Sequence, residues 1–190
     1  MKKAIFLLTG LFVFSIISVK AQTYKVGSNV VSAGVGLGSS ITGFGYGSQS
    51  PALSLQYERG VWEAGPGVVS LGGYIGYKSY KYSYSDGSGS YTEKLKYTIF
   101  GVRGAWHYTG LNIDNLDVYG GVMLSYDHAG FSSNVSTAYG SSSSSGGSFN
   151  SSVGFTAFVG SRYFFAGNLG GFAELGYGVS YFTIGLAYKF

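Results

Sequence analysis

The feature that most constrains this chain is a strict alternation of apolar with small or polar residues that recurs along nearly its whole length. In "NVVSAGVGL", Val31, Ala33, Val35 and Leu37 share one face, with Ser32, Gly34 and Gly36 on the other. "ALSLQYE" sets Leu53, Leu55 and Tyr57 against Ser54, Gln56 and Glu58. "VVSLGGYIGYKSY" sets Val69, Leu71, Ile75 and Tyr77 against Ser70, Gly72, Tyr74 and Lys78. The same holds for Phe100, Val102 and Trp106 against Arg103, Ala105 and His107, and for Val118, Val122, Leu124 and Tyr126 against Tyr119, Gly121, Ser125 and Asp127. It returns in "VGFTAFVGSRYFF", in "GGFAELGY" and in the closing "YFTIGLAYKF". A period of two is a strand signal. It predicts eight strands and no amphipathic helix.

These strands are too greasy for a water-soluble sheet. Charged residues make up 11% of the chain, where about 25% is usual, while there are 33 Gly, 18 Tyr and 14 Phe. Beyond the first segment no apolar run reaches the roughly 20 residues of a membrane helix. That first segment, with Met1, Lys2 and Lys3 before an apolar stretch and Val19-x-Ala21 at its end, reads as a secretory signal peptide, residues 1–21, cleaved so that residues 22–190 form the mature domain. Lys2, Lys3 and Lys20 leave with it, so nine of the 12 Lys and Arg remain against 8 Asp and Glu. No basic face remains to argue for nucleic acid. With no Cys, neither disulfides nor thiolate metal sites are available.

A sheet in lipid has no water to satisfy its edge N–H and C=O groups, so it must close on itself. The predicted fold is therefore all-β, an eight-stranded antiparallel up-and-down transmembrane barrel whose bulky face meets lipid. The connections alternate long ("GSSITGFGYGSQSP", "KYSYSDGSGSYTEK", "FSSNVSTAYGSSSSSGGSFNSS") with short ("GVWEAGPG", "TGLNIDNL", "FAGNLG"), before a tight turn near Gly178. That pattern places long loops on the outer side and short turns, with both termini, on the other.

With these residues the chain resembles the small outer-membrane β-barrel family of Gram-negative bacteria, the OmpA- and OmpX-like eight-stranded barrels and the "outer membrane protein β-barrel domain" group. The last strand carries the sharpest part of the likeness. Phe182, Ile184, Leu186, Tyr188 and Phe190 alternate and end on an aromatic. The resemblance implies that these residues serve as the C-terminal signal read by the barrel-assembly machinery, and that lipids and lipopolysaccharide of the outer membrane surround a monomeric barrel.

Inside, six ionisable residues share the inward face: Glu58, Lys78, Arg103, Asp127, Arg162 and Glu174. Three are acidic and three basic, which suits a neutralised lumen filled by side chains better than a charge-selective filter. Of the two histidines, His128 is adjacent to Asp127 and so points to the opposite face, and His107 sits near the short-turn end. Neither spells a hydrolase, and no catalytic, cofactor-binding or metal residues are expected. Asn112 to Asp117 reads as a solvated turn, and Ser141 to Ser148 as a flexible loop. Trp106 and Tyr108 near the short turns, with Tyr126, Tyr80, Tyr82 and Tyr91 near the long loops, are expected to form aromatic girdles. Tyr74 and Tyr119 are expected to point inward. The functional expectation is a structural or surface-interaction protein, meeting an extracellular ligand or host surface through its loops. The alternatives are a narrow pore and, further off, a lipid-modifying enzyme.

Overall fold

Alternating side chains settle on a pleated backbone because successive Cβ atoms point to opposite faces, so one face can meet lipid while the other fills an interior. The structure is a computed structural model of the 190-residue chain and describes residues 24–41, 48–86, 89–111, 113–137, 140–146 and 151–190. The expected signal peptide lies outside the described residues. Ten strands are present among them: β1 (Asn29–Leu37), β2 (Ser48–Gln49), β3 (Ala52–Glu63), β4 (Gly67–Asp86), β5 (Gly89–Tyr108), β6 (Leu116–Thr137), β7 (Gly140–Gly146), β8 (Ser152–Ala166), β9 (Leu169–Tyr177) and β10 (Phe182–Lys189). Eight of them close a ring in the order β1, β3, β4, β5, β6, β8, β9, β10, every pair antiparallel. The fold is the eight-stranded barrel that the alternation predicts.

The seam joins the first and last strands, with Val31 opposite Tyr188, Ala33 opposite Leu186, Val35 opposite Ile184 and Leu37 opposite Phe182. Asn29 and Phe190 exchange backbone hydrogen bonds of 3.1 and 2.9 Å and pin its lower end. Around the wall, Val102, Leu124 and Val159 stand 70, 62 and 60% exposed. An apolar belt of that extent is unfavourable in water and favourable in hydrocarbon, so the barrel spans a membrane. No helix among the described residues is long and apolar enough to cross one; the strands do it.

Two of the three long connections differ from the loops expected. β4 and β5 remain paired residue by residue from Gly67 and Tyr108 out to Asp86 and Gly89. β6 runs on to Thr137 and then pairs with β7 between Phe131–Gly146 and Thr137–Gly140. The Ser/Gly run therefore lies largely in a hydrogen-bonded strand. Polar composition hides the fact that alternation persists in Tyr80, Tyr82 and Tyr84, and hydroxyls can pair across strands, as Ser83 and Thr92 do at 3.3 Å. Together these segments raise a sheet of β4, β5, β6 and β7 above one side of the barrel.

On the opposite side the wall stops low. β9 and β10 are joined by the four residues Gly178–Tyr181, closed by the Gly176 N–H donating to Tyr181 O at 3.0 Å. Gly178 has φ +139°, and a Cβ there would lie 2.9 Å from the Phe155 carbonyl oxygen, so glycine is required twice over. Its own carbonyl accepts from Ser40 N at 3.0 Å and ties down the start of the first long connection.

Side chains fill the lumen in three layers. Tyr24, Val30, Val68, Phe164, Phe172 and Ala187 close the short-turn end. Charged residues occupy the layer above them. Tyr74, Tyr80, Leu95, Tyr97, Ile99, Met123 and Phe158 form an apolar layer toward the outer mouth. Tyr80 is thus a buried inward residue, not part of a girdle. It follows the parity of Lys78 and Tyr74 on β4, which places it on the concave face.

Candidate functional site

The charged layer is assembled through glycine gaps. Glu58 on β3 stands opposite Gly72 on β4, and Gly72 stands opposite Arg103 on β5. Because Gly72 has no side chain, Arg103 reaches across β4, and its Nε lies 2.7 Å from Glu58 Oε1. Gly160 does the same between Tyr119 on β6 and Glu174 on β9. A Cβ on Gly160 would come within 2.9 Å of the Tyr119 ring and 2.8 Å of Glu174 Cγ. Its absence lets Tyr119 donate its hydroxyl to Glu174 at 2.9 Å.

Glu174 also accepts from Arg103 Nη2 at 2.7 Å. Arg162 Nη2 donates to the other oxygen of Glu58, and its Nη1 lies 3.5 Å from Asp117 Oδ2. The guanidinium planes are covered by rings, Arg103 at 4.1 Å from the Phe158 centroid and Arg162 at 4.2 Å from that of Tyr119. Charge pairing and aromatic cover together offset the desolvation of groups that would otherwise be expensive to bury.

Four of the six inward ionisable residues meet here: Glu58, Arg103, Arg162 and Glu174. The other two do not. Lys78 lies nearer the outer mouth, where its Nζ donates to Gly38 O at 2.8 Å. Asp127 is buried toward the same mouth and accepts from Ser125 Oγ at 2.8 Å. It borders a cavity of about 180 Å³ beside Ser40, Ser152 and Thr156. Their strand positions give the right face but the wrong height, because face follows from parity whereas height depends on register.

Asp117 is a correction. Instead of lying in a solvated turn it is the second residue of β6 and is buried, opposite Arg162. Its Oδ1 lies 2.8 Å from His107 Nδ1, and His107 Nε2 lies 3.0 Å from Ser70 Oγ. The distances are those of a serine, histidine and aspartate relay. The surroundings are not: Ser70 and His107 have no exposed surface, and Tyr24 stacks on the imidazole at 3.7 Å between centroids and 9° between planes. Side chains of the protein occupy the place that an acyl substrate would need. The three residues extend the ionic layer to the short-turn end, and no group of three or more His, Cys, Asp or Glu suited to a metal ion occurs among the described residues.

Little space remains in the lumen. A cavity of about 30 Å³ beside Arg103 and Glu174, lined also by Gln56 and Thr156, has room for a water molecule or two. On the outer surface, Trp106 and Tyr108 point outward near the short turns and Tyr126 near the long connections. The Trp106 indole N–H donates to Ala64 O at 3.0 Å. Phe182, Ile184, Leu186, Tyr188 and Phe190 all face outward along the seam, with the last two rings stacked at 6.2 Å.

No family model matches the chain and no curated protein matches it. Among solved structures it is similar to Ail, the attachment invasion locus protein of Yersinia pestis, in complex with the heparin analogue sucrose octasulfate, at 13% identity and a TM-score of 0.51, covering 87% of this chain and 99% of that one. A second Ail structure aligns over the same shares at 11% identity and a TM-score of 0.46. The shared property is the fold, a small antiparallel barrel of the outer-membrane type.

Proposed function

We propose that this chain is an outer-membrane barrel whose lumen is a sealed structural core and whose work is done by the raised β4–β7 sheet, which meets a ligand or partner outside the cell. The observation that carries the reading is the contrast between the two ends of one wall. The interior is filled by ion pairs and rings. The outer end extends four strands past the mouth on one side, with β7 paired to β6 and the upper part of β4 to β5 and the short β2 among the described residues. Such extension costs ordering entropy without adding to the membrane seal, so its use lies outside the bilayer.

The reading assigns the chain no catalysis of its own, in keeping with the closed surroundings of Ser70, His107 and Asp117. The bound heparin analogue in the Yersinia neighbour supports an extracellular ligand for barrels of this shape, with an anionic glycan as one class to test. Assembly through the outward aromatic row ending at Phe190 belongs to the same reading.

Two measurements test it. Purified barrel in planar bilayers is expected to give no steady ion-conducting events; sustained conductance that changes in an Arg103→Ala variant would overturn the sealed lumen. Cells displaying a version with β4 and β5 joined directly between Lys81 and Lys94 should keep a folded barrel and lose capture of the external partner. Unchanged capture would move the function elsewhere.

A further inference from the structure

Of the carboxylates buried in the lumen, Glu58, Asp117 and Glu174 belong to the ionic layer and Asp127 stands apart from it. Asp127 is 3% exposed and lies on β6 opposite Ser152 on β8. Ser125, two residues earlier on the same face, lies opposite Gly154. Because Gly154 has no side chain, the Asp127 carboxylate lies over its backbone: a Cβ there would come within 2.7 Å of Asp127 Oδ2 and 2.5 Å of Ser125 Oγ. Oδ1 accepts from the Ser125 hydroxyl at 2.8 Å, and among the described residues no donor reaches Oδ2.

No cation of the chain balances this group. Arg103 and Arg162 are held by Glu58, Glu174 and Asp117. Lys78 turns to Gly38 O. Lys25, Arg59 and Lys189 lie at the short-turn end, and Lys81, Lys94 and Lys96 are exposed on the outward face of the raised sheet. These are nine of the chain's 12 Lys and Arg, and the other three fall in the expected signal peptide. A buried carboxylate without a counter-ion is costly. One that faces a cavity is the mark of a binding site.

The cavity of about 180 Å³ lies where the wall steps down from β6 and β8 to the low β9–β10 turn, with Ser40, Ser125, Asp127, Ser152 and Thr156 as its polar side chains. The Gly178 carbonyl on its border already accepts from Ser39 Oγ, Ser40 Oγ and Ser40 N. What remains to receive donors is the carboxylate and its neighbouring hydroxyls. A cavity of about 150 Å³ holds a six-carbon ring, so an occupant of about six to eight non-hydrogen atoms fits. Calcium would call for about six to eight oxygen ligands, and the site offers one carboxylate. An ammonium group carries a single charge and three donors, which suits one carboxylate oxygen beside hydroxyls.

We propose that the outer mouth binds a small hydroxylated primary amine from the external medium, its ammonium group on Asp127 Oδ2 and its hydroxyls among Ser40, Ser152 and Thr156. Gly154 keeps the site open, because a side chain there would fill the space over the carboxylate. The site lies inside the mouth and does not depend on capture by the raised sheet.

The test uses the whole barrel in neutral detergent and an amine-free buffer, with its mobility shift on heating as the check of folding. Serinol is the probe, and glycerol, in which a hydroxyl replaces the amine, is the control. Serinol is expected to shift the backbone amide resonances of Ser125, Asp127 and Gly154 saturably and to raise the thermal midpoint, as a ligand of the folded state must. Glycerol at the same concentration should do neither. Asp127→Asn keeps the shape and removes the charge, and should bind serinol at least tenfold more weakly while folding normally. Gly154→Ala keeps the charge and removes the space, and should weaken binding to a similar degree. Equal serinol affinity in the parent and Asp127→Asn, or an equal response of the parent to serinol and glycerol, would overturn the proposal. So would calcium chloride displacing serinol from the same resonances, which would make the mouth a metal site. A parent barrel without a saturable serinol response would leave the cavity to water and overturn it as well.

Discussion

Replacing Arg162 by methionine isolates the energetics of the buried ionic layer. Arg162 touches two carboxylates, Glu58 and Asp117, and lies over the Tyr119 ring. Methionine keeps most of the volume and none of the charge, so Glu58 retains Arg103 alone and Asp117 retains His107 alone. Breaking a buried pair by removing one partner costs about 3–5 kcal/mol. At about 1.4 kcal/mol per factor of ten, the folding equilibrium should fall between about a hundredfold and a few thousandfold. Urea unfolding in lipid vesicles, followed through Trp62 and Trp106 fluorescence and gel mobility, measures this directly. Adding Glu58→Gln removes the opposing charge, and the double variant should recover to within about 1–2 kcal/mol of the parent, because contacting charges do not act additively. A single variant within about 1 kcal/mol of the parent, or strict additivity in the double, would refute the claim that these charges are buried as a coupled unit.

Other outcomes follow from the same contacts. Gly160→Ala should cost about 1–3 kcal/mol in the same unfolding assay, since its Cβ would meet Tyr119, Glu174 and the Ala173 carbonyl oxygen, which lies 2.9 Å away. Gly178→Ala should cost a similar ~1–3 kcal/mol through backbone strain, read in the same way, with the barrel still forming. Changing Tyr188 and Phe190 together to serine should leave unfolded chain outside the membrane fraction in cells; normal amounts of heat-modifiable barrel would contradict an assembly role for the outward row.

What could be read from the sequence follows from what period two encodes. Parity assigns a face, so the lumen residues Glu58, Arg103, Arg162 and Glu174 and the seam row ending at Phe190 were recognisable one strand at a time. Height in the barrel is set by register between strands distant in sequence. Lys78 and Asp127 therefore shared a face with the ionic layer without belonging to it. Asp117 was hidden by its neighbours: "NIDNLD" has the composition of a turn, although its last residue already belongs to a strand. The partnership of His107 with Ser70 and Asp117 needed β4, β5 and β6 in register. Glycine carried a signal too. Gly72 belongs by parity to the inward face, and the position of Gly72 and Gly160 between the residues they let meet became meaningful only once the pairs across β4 and β8 were known.

The neighbours at the seam, β1 and β10, also govern time. A ring whose first and last strands must touch cannot complete its ladder while any strand is still to be made, and every partial sheet before that moment carries two unsatisfied edges and an apolar belt. The chain is therefore built to postpone folding, with its stability withheld until the final strand arrives where lipid can receive it. Pairing of β1 with β10 is thus the single event that removes both open edges at once, and it turns an unfinished sheet into a closed wall.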